Sequence, residues 1–135
     1  DGKGDVTNTH VAWSTRSGVP GTPSLLLVDS ELYMISDNGL ASCLDAKTGR
    51  RHWQKRIGGN HSASPVYADG RIYAQSEEGK GVVLSAGPVF KLLAENSIGE
   101  RTLASYAIAK NAIFLRGEKH LYRIESPGKP DQDRR

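Results

Sequence analysis

The residues with the clearest chemical capacity lie in the stretch CLDAKTGRRHW (43–53), where a thiol, a carboxylate and a hydroxyl follow one another closely. Cys43 would act as a nucleophile if a nearby base lowered its pKa. It stands, however, in an apolar run with Leu40 and Leu44, and no histidine accompanies it as in a cysteine–histidine pair. We therefore interpret Cys43 as a small core residue and predict no catalytic residue in this chain.

The polar residues that follow are typical of a tight turn. An aspartate such as Asp45 that opens a turn accepts hydrogen bonds from the amides ahead of it, and Thr48 can do likewise. Gly49 supplies the left-handed backbone conformation that such a turn needs. Trp53 would then lay a large ring against a neighbouring unit and bury on the order of 200 Å². The sequence thus predicts a structural motif, whose tryptophan end is repeated at Trp13.

A repeat of 40 residues explains the motif. When the chain is shifted by 40 positions, 34 ungapped pairs contain ten identities, whereas chance would give roughly two. Trp13 then falls on Trp53, and Tyr33 falls on Tyr73. A third copy begins at Ala104 with a shift of 41. Residues that recur once per repeat normally serve the packing between repeats, which favours the structural interpretation.

Each copy contains short alternating or apolar runs separated by turns such as Asp-Gly and Asn-Gly, and none shows a sustained helical period. Four antiparallel strands every 40 residues predict all-β propeller blades. The predicted strand count is 1+4+4+3, about three blade equivalents in an open or partial propeller, because closed propellers need about 4–8 blades. The predicted segments are a flexible N-terminal segment (1–8), propeller blades over 9–125 and a disordered tail (126–135). Within 9–125 they are the fourth strand of an upstream blade (9–16), two blades (22–57 and 62–96) and an incomplete blade (104–125).

Composition restricts the partners. The 18 basic and 15 acidic residues leave a net charge of +3, so we expect no nucleic-acid partner. The longest apolar run, Leu25–Val28, is far too short to span a membrane, and a single cysteine cannot form an intrachain disulfide. Because the sequence starts at Asp1 without a methionine, we expect a processed chain or part of a longer protein, and no signal peptide is visible.

The stretch GLASCLDAKTGRRHW (39–53) resembles the tryptophan-docking repeat of the pyrroloquinoline-quinone-like (PQQ-like) β-propellers, the quinoprotein alcohol dehydrogenase-like family. The chain over 9–125 resembles C-terminal blades of that family. In the second copy the motif is reduced to residues 85–88, with Phe90 or Leu92 near the tryptophan's place. The family pattern of a small residue, aspartate, threonine-glycine and tryptophan maps onto Cys43, Asp45, Thr48, Gly49 and Trp53, with cysteine in place of alanine.

The resemblance also bears on cofactors and binding. In the family's enzymes the quinone lies between a tryptophan and a disulfide of adjacent cysteines, beside a calcium ion held by Glu, Asn and Asp. This chain has one cysteine and no evident triad of that kind, so we predict neither a cofactor nor a metal site. Histidines 10, 52, 61 and 120 lie too far apart for a zinc site. Asn60 and His61 follow a Gly-Gly pair in a connection between blades, and we interpret them as a candidate binding loop.

Three functions follow as hypotheses. The first is a non-enzymatic binding or scaffold segment that docks proteins or peptides through channel loops and strand edges. The alternative is the C-terminal part of a PQQ-dependent oxidoreductase, with PQQ and Ca²⁺ bound at an active site that lies upstream. The third is an accessory propeller of a sensor or adhesion ectodomain. We expect protein or peptide partners, further blades of the same protein, or self-association through open strand edges. The resemblance implies a periplasmic or secreted location.

Overall fold

A computed structural model describes residues 2–126, and in this part of the chain eleven strands form three antiparallel sheets. The first sheet contains β1 (Leu26–Val28), β2 (Glu31–Ile35), β3 (Leu40–Asp45) and β4 (Arg51–Arg56). The second contains β5 (Val66–Ala68), β6 (Arg71–Gln75), β7 (Lys80–Ser85) and β8 (Leu92–Ser97). The third contains β9 (Ala107–Ala109), β10 (Ala112–Arg116) and β11 (Leu121–Glu125). Each sheet follows chain order, so every strand pairs with its neighbour in sequence.

This arrangement confirms the prediction of an all-β fold built from four-stranded antiparallel blades. The three sheets contain four, four and three strands, and in the described part of the chain they do not close into a ring. None of residues 2–126 belongs to a helix that could cross a membrane.

The hairpin turns form where the sequence supplies residues that tolerate positive φ. Asp69 and Gly70 join β5 to β6 with φ of 49° and 72°, and Lys110 and Asn111 do the same for β9 and β10 with φ of 50° and 61°. Two consecutive residues with positive φ match the right-handed twist of the flanking strands. The longer turn after β2 needs Gly39, since a Cβ there would overlap the carbonyl of Gly58.

The main core lies between the first and second sheets. Alternate residues of β2 and β3 point to the second sheet, and alternate residues of β6 and β7 point back. Because these positions are apolar in both sheets, they are removed from water almost completely. The buried side chains are Tyr33, Ile35, Ala41, Cys43, Trp53, Ile72, Ala74, Val82 and Leu84.

The ends of the chain require one correction to the predicted strand count. Residues 9–16, predicted as a fourth strand, belong to no sheet, so the count is eleven and not twelve. A strand is defined by hydrogen bonds to a neighbour, and no described strand runs beside this segment. In the predicted flexible segment 1–8, Val6 O accepts hydrogen bonds from the amides of Thr9 and His10. Residues 127–135, most of the predicted tail, lie outside the described residues.

Candidate functional site

The tryptophan of the repeat motif connects the first sheet to the second. Trp53 lies on β4 opposite Cys43, is 8% exposed, and donates from Nε1 to the carbonyl of Gly87 at 3.1 Å. Its ring centroid lies 6.2 Å from that of Tyr33 and 5.2 Å from that of Phe90. Tyr33 makes a second link, because its hydroxyl accepts from the amide of Gly87 at 2.6 Å. The motif therefore fastens two blades to each other.

Trp13 makes the equivalent contact one repeat earlier. Its Nε1 donates to the carbonyl of Ala46 at 3.0 Å, and its ring covers Gly49. A Cβ on Gly49 would lie 2.5 Å from a ring carbon of Trp13, and the glycine has a φ of 72°. The contact with the Trp13 ring and the positive φ both disfavour any residue larger than glycine at this position. The segment around Trp13 thus docks on the first sheet although it is not itself a strand.

The polar residues of the motif are used inside its own turn. The amide and hydroxyl of Thr48 both donate to Asp45 Oδ1 at 2.7 Å, and the amide of Gly49 donates to the carbonyl of Asp45 at 2.8 Å. The hydrogen bond from the Thr48 hydroxyl, followed by that from the Thr48 amide, lowers the pKa of the Asp45 carboxyl. Cys43 is fully buried, and burial raises the pKa of its thiol to about 11. A protonated, inaccessible thiol is a poor nucleophile at neutral pH.

The structure separates the two residues of the candidate binding loop. Asn60 is exposed, and its amide and Nδ2 donate to Glu78 Oε1 at 3.1 and 2.9 Å. His61 is only 2% exposed; its Nε2 lies 2.9 Å from the carbonyl of Gly58, and its Nδ1 is buried without a hydrogen-bond partner among the described residues. Asn60 therefore faces solvent, whereas His61 packs inside the connection.

A backbone pattern that the sequence analysis did not identify holds these connections in place. The amide of His61 donates to the carbonyl of Asp37 at 2.8 Å, and the amide of Glu77 donates to the carbonyl of Asn60 at 2.7 Å. The next blade repeats both links at equivalent positions. There the amide of Thr102 donates to Glu77 O at 3.0 Å, and that of Glu118 donates to Arg101 O at 2.8 Å. We call the surface formed by residues 37–39, 58–62, 77–79, 99–104 and 117–120 the loop face.

Acidic side chains of the loop face cap the same connections. Asp37 accepts from the amides of Gly21 and Thr22, which lower its pKa. Glu77 accepts a short hydrogen bond from the Ser62 hydroxyl and a contact from Arg101 at 3.3 Å, and these lower its pKa in that order. The carboxylates are therefore ionised at neutral pH and already occupied by donors, which makes the loops rigid.

Serines at the start of each blade form a further periodic link. The amide of Ser24 donates to the hydroxyl of Ser64 at 2.9 Å, and the amide of Ser64 donates to that of Ser105 at 2.9 Å. The spacing of 40 and 41 residues was the available signal, since all three serines align in the repeat. Their interaction could not be predicted, because it joins separate sheets.

The residues present do not fit the cofactor of the family's enzymes. Cys43, the sole cysteine, is packed between sheets and has no second thiol with which to form a disulfide. Across residues 2–126, no three His, Cys, Asp or Glu side chains are grouped so that they could hold a metal ion.

Comparison with known proteins agrees with this fold. The family model for the outer membrane protein assembly factor BamB matches residues 5–88. No curated protein matches the chain. Solved structures of two kinds are similar. BamB from Moraxella catarrhalis has a TM-score of 0.57 and 13% identity over 70% of this chain and 28% of its own. A europium-containing methanol dehydrogenase has a TM-score of 0.64 and 22% identity, over 78% of this chain and 22% of its own.

A quinohemoprotein alcohol dehydrogenase from Comamonas testosteroni is also similar, with a TM-score of 0.60 and 16% identity over 73% of this chain and 17% of its own. This chain therefore spans less than a third of the length of each of these relatives. At such identities the structural likeness shows the fold alone. The family model, however, covers more than half of the chain, and together with the docking geometry of Trp53 it confirms the resemblance: the chain belongs to the BamB family of PQQ-like-repeat β-propellers.

Proposed function

We propose that this chain is a non-enzymatic binding and scaffold segment of a PQQ-like-repeat propeller. It docks protein or peptide partners through a strand edge and the loop face, in the periplasm or outside the cell. The observation that carries the proposal is the solvent exposure of β8, the outermost strand of the second sheet.

All six residues of β8 are exposed, and Leu92 and Leu93 retain 45% and 41% of their accessible surface. Glu95 is the one charged residue in the strand. As the last strand in the order β5-β6-β7-β8, it has one edge without a strand partner among the described residues. An extended peptide can add to such an edge, with backbone hydrogen bonds supplying affinity.

The corresponding strand of the first sheet is protected against such pairing. β4 carries Arg51, Lys55 and Arg56, all exposed, and its one large apolar side chain, Trp53, is buried. Charged residues on an edge strand discourage pairing with other chains. The contrast favours β8 as the strand that accepts a partner, and a second copy of the chain is one such partner.

The loop face offers a second contact surface. A groove of about 470 Å³ lies beside the connection into the third sheet, and Leu103 in it is 56% exposed. Arg101, Arg116 and Glu118 also line it, so its rim has both signs of charge. Because hydrogen bonds already hold the loops, little conformational entropy would be lost when a partner binds to them. The family's description as an outer membrane assembly factor supports a protein partner and a location in the cell envelope.

The test is site-specific photo-crosslinking in cells that produce the full-length protein. Benzoylphenylalanine replaces Leu93 on β8 in one variant and Lys55 on β4 in the matched control. We expect discrete adducts from position 93 and few from position 55, in the full-length protein. Equal labelling at both positions would contradict the role of β8. An adduct of twice the mass of the protein would identify a second copy as the partner.

A separate measurement addresses the oxidoreductase alternative. PQQ and Ca²⁺ are titrated into the full-length protein while the absorption spectrum and dye-linked alcohol oxidation are followed. We expect neither a saturable spectral shift nor oxidation. A tight spectral shift or turnover of an alcohol would overturn the non-enzymatic proposal.

A further inference from the structure

The interface between the second and third sheets differs from the first interface, between the first and second sheets, at one register position. Cys43 lies opposite Trp53 in the β3–β4 pair, and Val83 lies opposite Ala94 in the β7–β8 pair. Ala94 thus occupies the place that Trp53 has in the first sheet. An alanine is too small to cover Tyr73 as the indole of Trp53 covers Tyr33. The ring of Tyr106, which precedes β9, instead meets Tyr73 edge-on at a centroid distance of 6.0 Å, so different rings pack the two interfaces.

A cavity of about 280 Å³ is present between the second and third sheets. Tyr73 and Val83 form its wall on one side, and Ile113 and Leu115 form it on the other. An engineered apolar cavity of about 150 Å³ is large enough to bind benzene. The space therefore suffices for a planar molecule with two fused rings, which is the shape of the side chain that fills the first interface.

The cavity also contains a buried polar pair. Gln75 is 1% exposed and stands where the first sheet has Ile35, while the hydroxyl of Tyr106 donates to Gln75 Oε1 at 2.5 Å. Gln75 Nε2 donates to the carbonyl of Ser76 at 3.2 Å. Once its hydrogen is engaged by Gln75, the Tyr106 oxygen still has lone pairs that accept a hydrogen bond.

Gly81 leaves the room that the polar pair needs. A Cβ at this position would overlap the hydroxyl oxygen of Tyr106 and lie 3.2 Å from Gln75 Oε1. The equivalent position in the first sheet is the buried Ala41, which packs against apolar neighbours. The second interface thus combines apolar walls with a few convergent polar atoms, as small-molecule sites usually do.

We propose that this cavity binds a planar aromatic molecule of indole size that carries one N–H donor. The rings lie against Tyr73 and between Val83 and Ile113, and the N–H donates to the hydroxyl oxygen of Tyr106. The cavity lies between two sheets rather than along the outer edge of β8 to which the proposed function assigns the partner, although Asn96 and Ser97 of β8 are among its lining residues. The proposal does not depend on that function.

The test uses 5-fluoroindole titrated into the chain and followed by fluorine NMR. We expect saturable binding with a dissociation constant on the order of 0.1–1 mM, a range suited to a ligand of about ten heavy atoms. Unlabelled indole should displace the probe. 5-Fluoro-1-methylindole, which has no N–H, should bind about fivefold more weakly, the loss of one hydrogen bond.

Three variants assign the probe to the cavity. Val83→Phe, on a residue of the cavity lining, should weaken binding of 5-fluoroindole at least tenfold, whereas Leu93→Phe, on a residue outside the lining, should leave it unchanged. Tyr106→Phe should weaken 5-fluoroindole about fivefold and leave its methylated analogue unaffected. If Val83→Phe does not fold, as judged by circular dichroism, the Tyr106→Phe comparison decides. Absence of saturable binding to the unaltered chain, or equal binding of both probes to it, overturns the proposal.

Discussion

The two interfaces between neighbouring sheets share a backbone frame but differ in how completely they are packed. In the first interface Tyr33 and Cys43 are 2% and 0% exposed, and Trp53 lies between Tyr33 and Phe90. In the second interface Tyr73 is half-buried, and Ile124 is 46% exposed. Because the connecting amide links and the serine bonds recur in both, the difference arises from side-chain volume rather than from backbone pairing.

This comparison shows that the repeat separates two tasks. Backbone and serine hydrogen bonds set how adjacent blades are joined, whereas the docking tryptophan sets how closely they pack. The first task is retained in all three copies. At the second interface Ala94 stands in the tryptophan's place, Tyr106 meets Tyr73 instead, and a cavity remains beside them.

The largest expected effect comes from making the first interface resemble the second. Trp53→Ala should lower the free energy of unfolding by about 3–5 kcal/mol, because it removes a buried ring and leaves a cavity beside Tyr33. Urea denaturation followed by circular dichroism measures the loss. Trp13→Ala removes a half-buried ring and should lower the free energy of unfolding less than Trp53→Ala does. If Trp53→Ala lowers it by the same amount or less, the role assigned to Trp53 is wrong.

A pair of glycine substitutions tests the docking of Trp13. Gly49 and Gly70 both have a φ of 72°, but only Gly49 has a ring above it, and nothing lies within 4 Å of the Cβ position of Gly70. Gly70→Ala should cost about 1 kcal/mol from backbone strain alone. Gly49→Ala should cost roughly 1–3 kcal/mol more, because Trp13 must also move. Equal losses in thermal or urea unfolding would show that Trp13 does not dock there in solution.

Cysteine chemistry distinguishes the two interfaces directly, because Cys43 and Val83 are register equivalents. Iodoacetamide should leave native Cys43 unmodified at pH 7.5. The double variant Cys43→Ala/Val83→Cys moves the thiol to the more open interface and should be alkylated at least about tenfold faster. Mass spectrometry of the folded chain measures both rates. Equally slow modification would mean that the second interface is as closed as the first.

The buried thiol of Cys43 should also make the free energy of unfolding depend on pH in the alkaline range. Burial raises the pKa of Cys43 from 9.0 to about 11, so the folded state retains the proton more tightly than the unfolded state. The stabilisation is complete below pH 9.0 and is lost as the pH rises through about 11. The melting temperature should therefore decrease between pH 9.0 and about 11, and Cys43→Ala should make this decrease smaller. Tyr33, with its pKa raised by burial to about 12, adds a decrease above pH 10 in both proteins.

The smallest expected effect comes from the reverse exchange, which makes the second interface resemble the first. Ala94→Trp should raise the free energy of unfolding by about 1 kcal/mol, because the new ring packs against Tyr73. Leu93→Trp on the same strand is the control and should change stability little. A destabilised Ala94→Trp chain with unchanged circular dichroism would show that the second interface is too narrow for a ring.

Much of the fold could be predicted from the sequence, because turn residues and strand periodicity recur every 40 residues. Two four-stranded sheets follow one another along the chain as the repeat predicts, and Asp45 accepts hydrogen bonds from Thr48 within its turn. The residue that replaces the tryptophan could not be located. The connection between β7 and β8 is one residue longer than that between β3 and β4, since Leu44 pairs with Arg51 but Leu84 pairs with Leu92, and this places Ala94 at the tryptophan position. Phe90 is a partner of Trp53 and not its substitute.

The candidate site was less predictable than the fold. Sequence spacing located Asn60 and His61 in a connection between blades, but it could not show that His61 turns inward, because this depends on carbonyl groups of the preceding turn. The Gln75–Tyr106 pair carried no sequence signal. Its partners are 31 residues apart and belong to different sheets.

The sequence by itself determined the repeat, the strands, the turn at Asp45 and the family, because each depends on residue types at short and regular spacing. The tertiary structure alone decided which rings meet across the interfaces, why Cys43 is closed to reagents, and where a cavity remains. These properties arise from contacts between sheets. The ring that meets Tyr33 comes from β4 of the same sheet, whereas the ring that meets Tyr73 is that of Tyr106, which precedes β9.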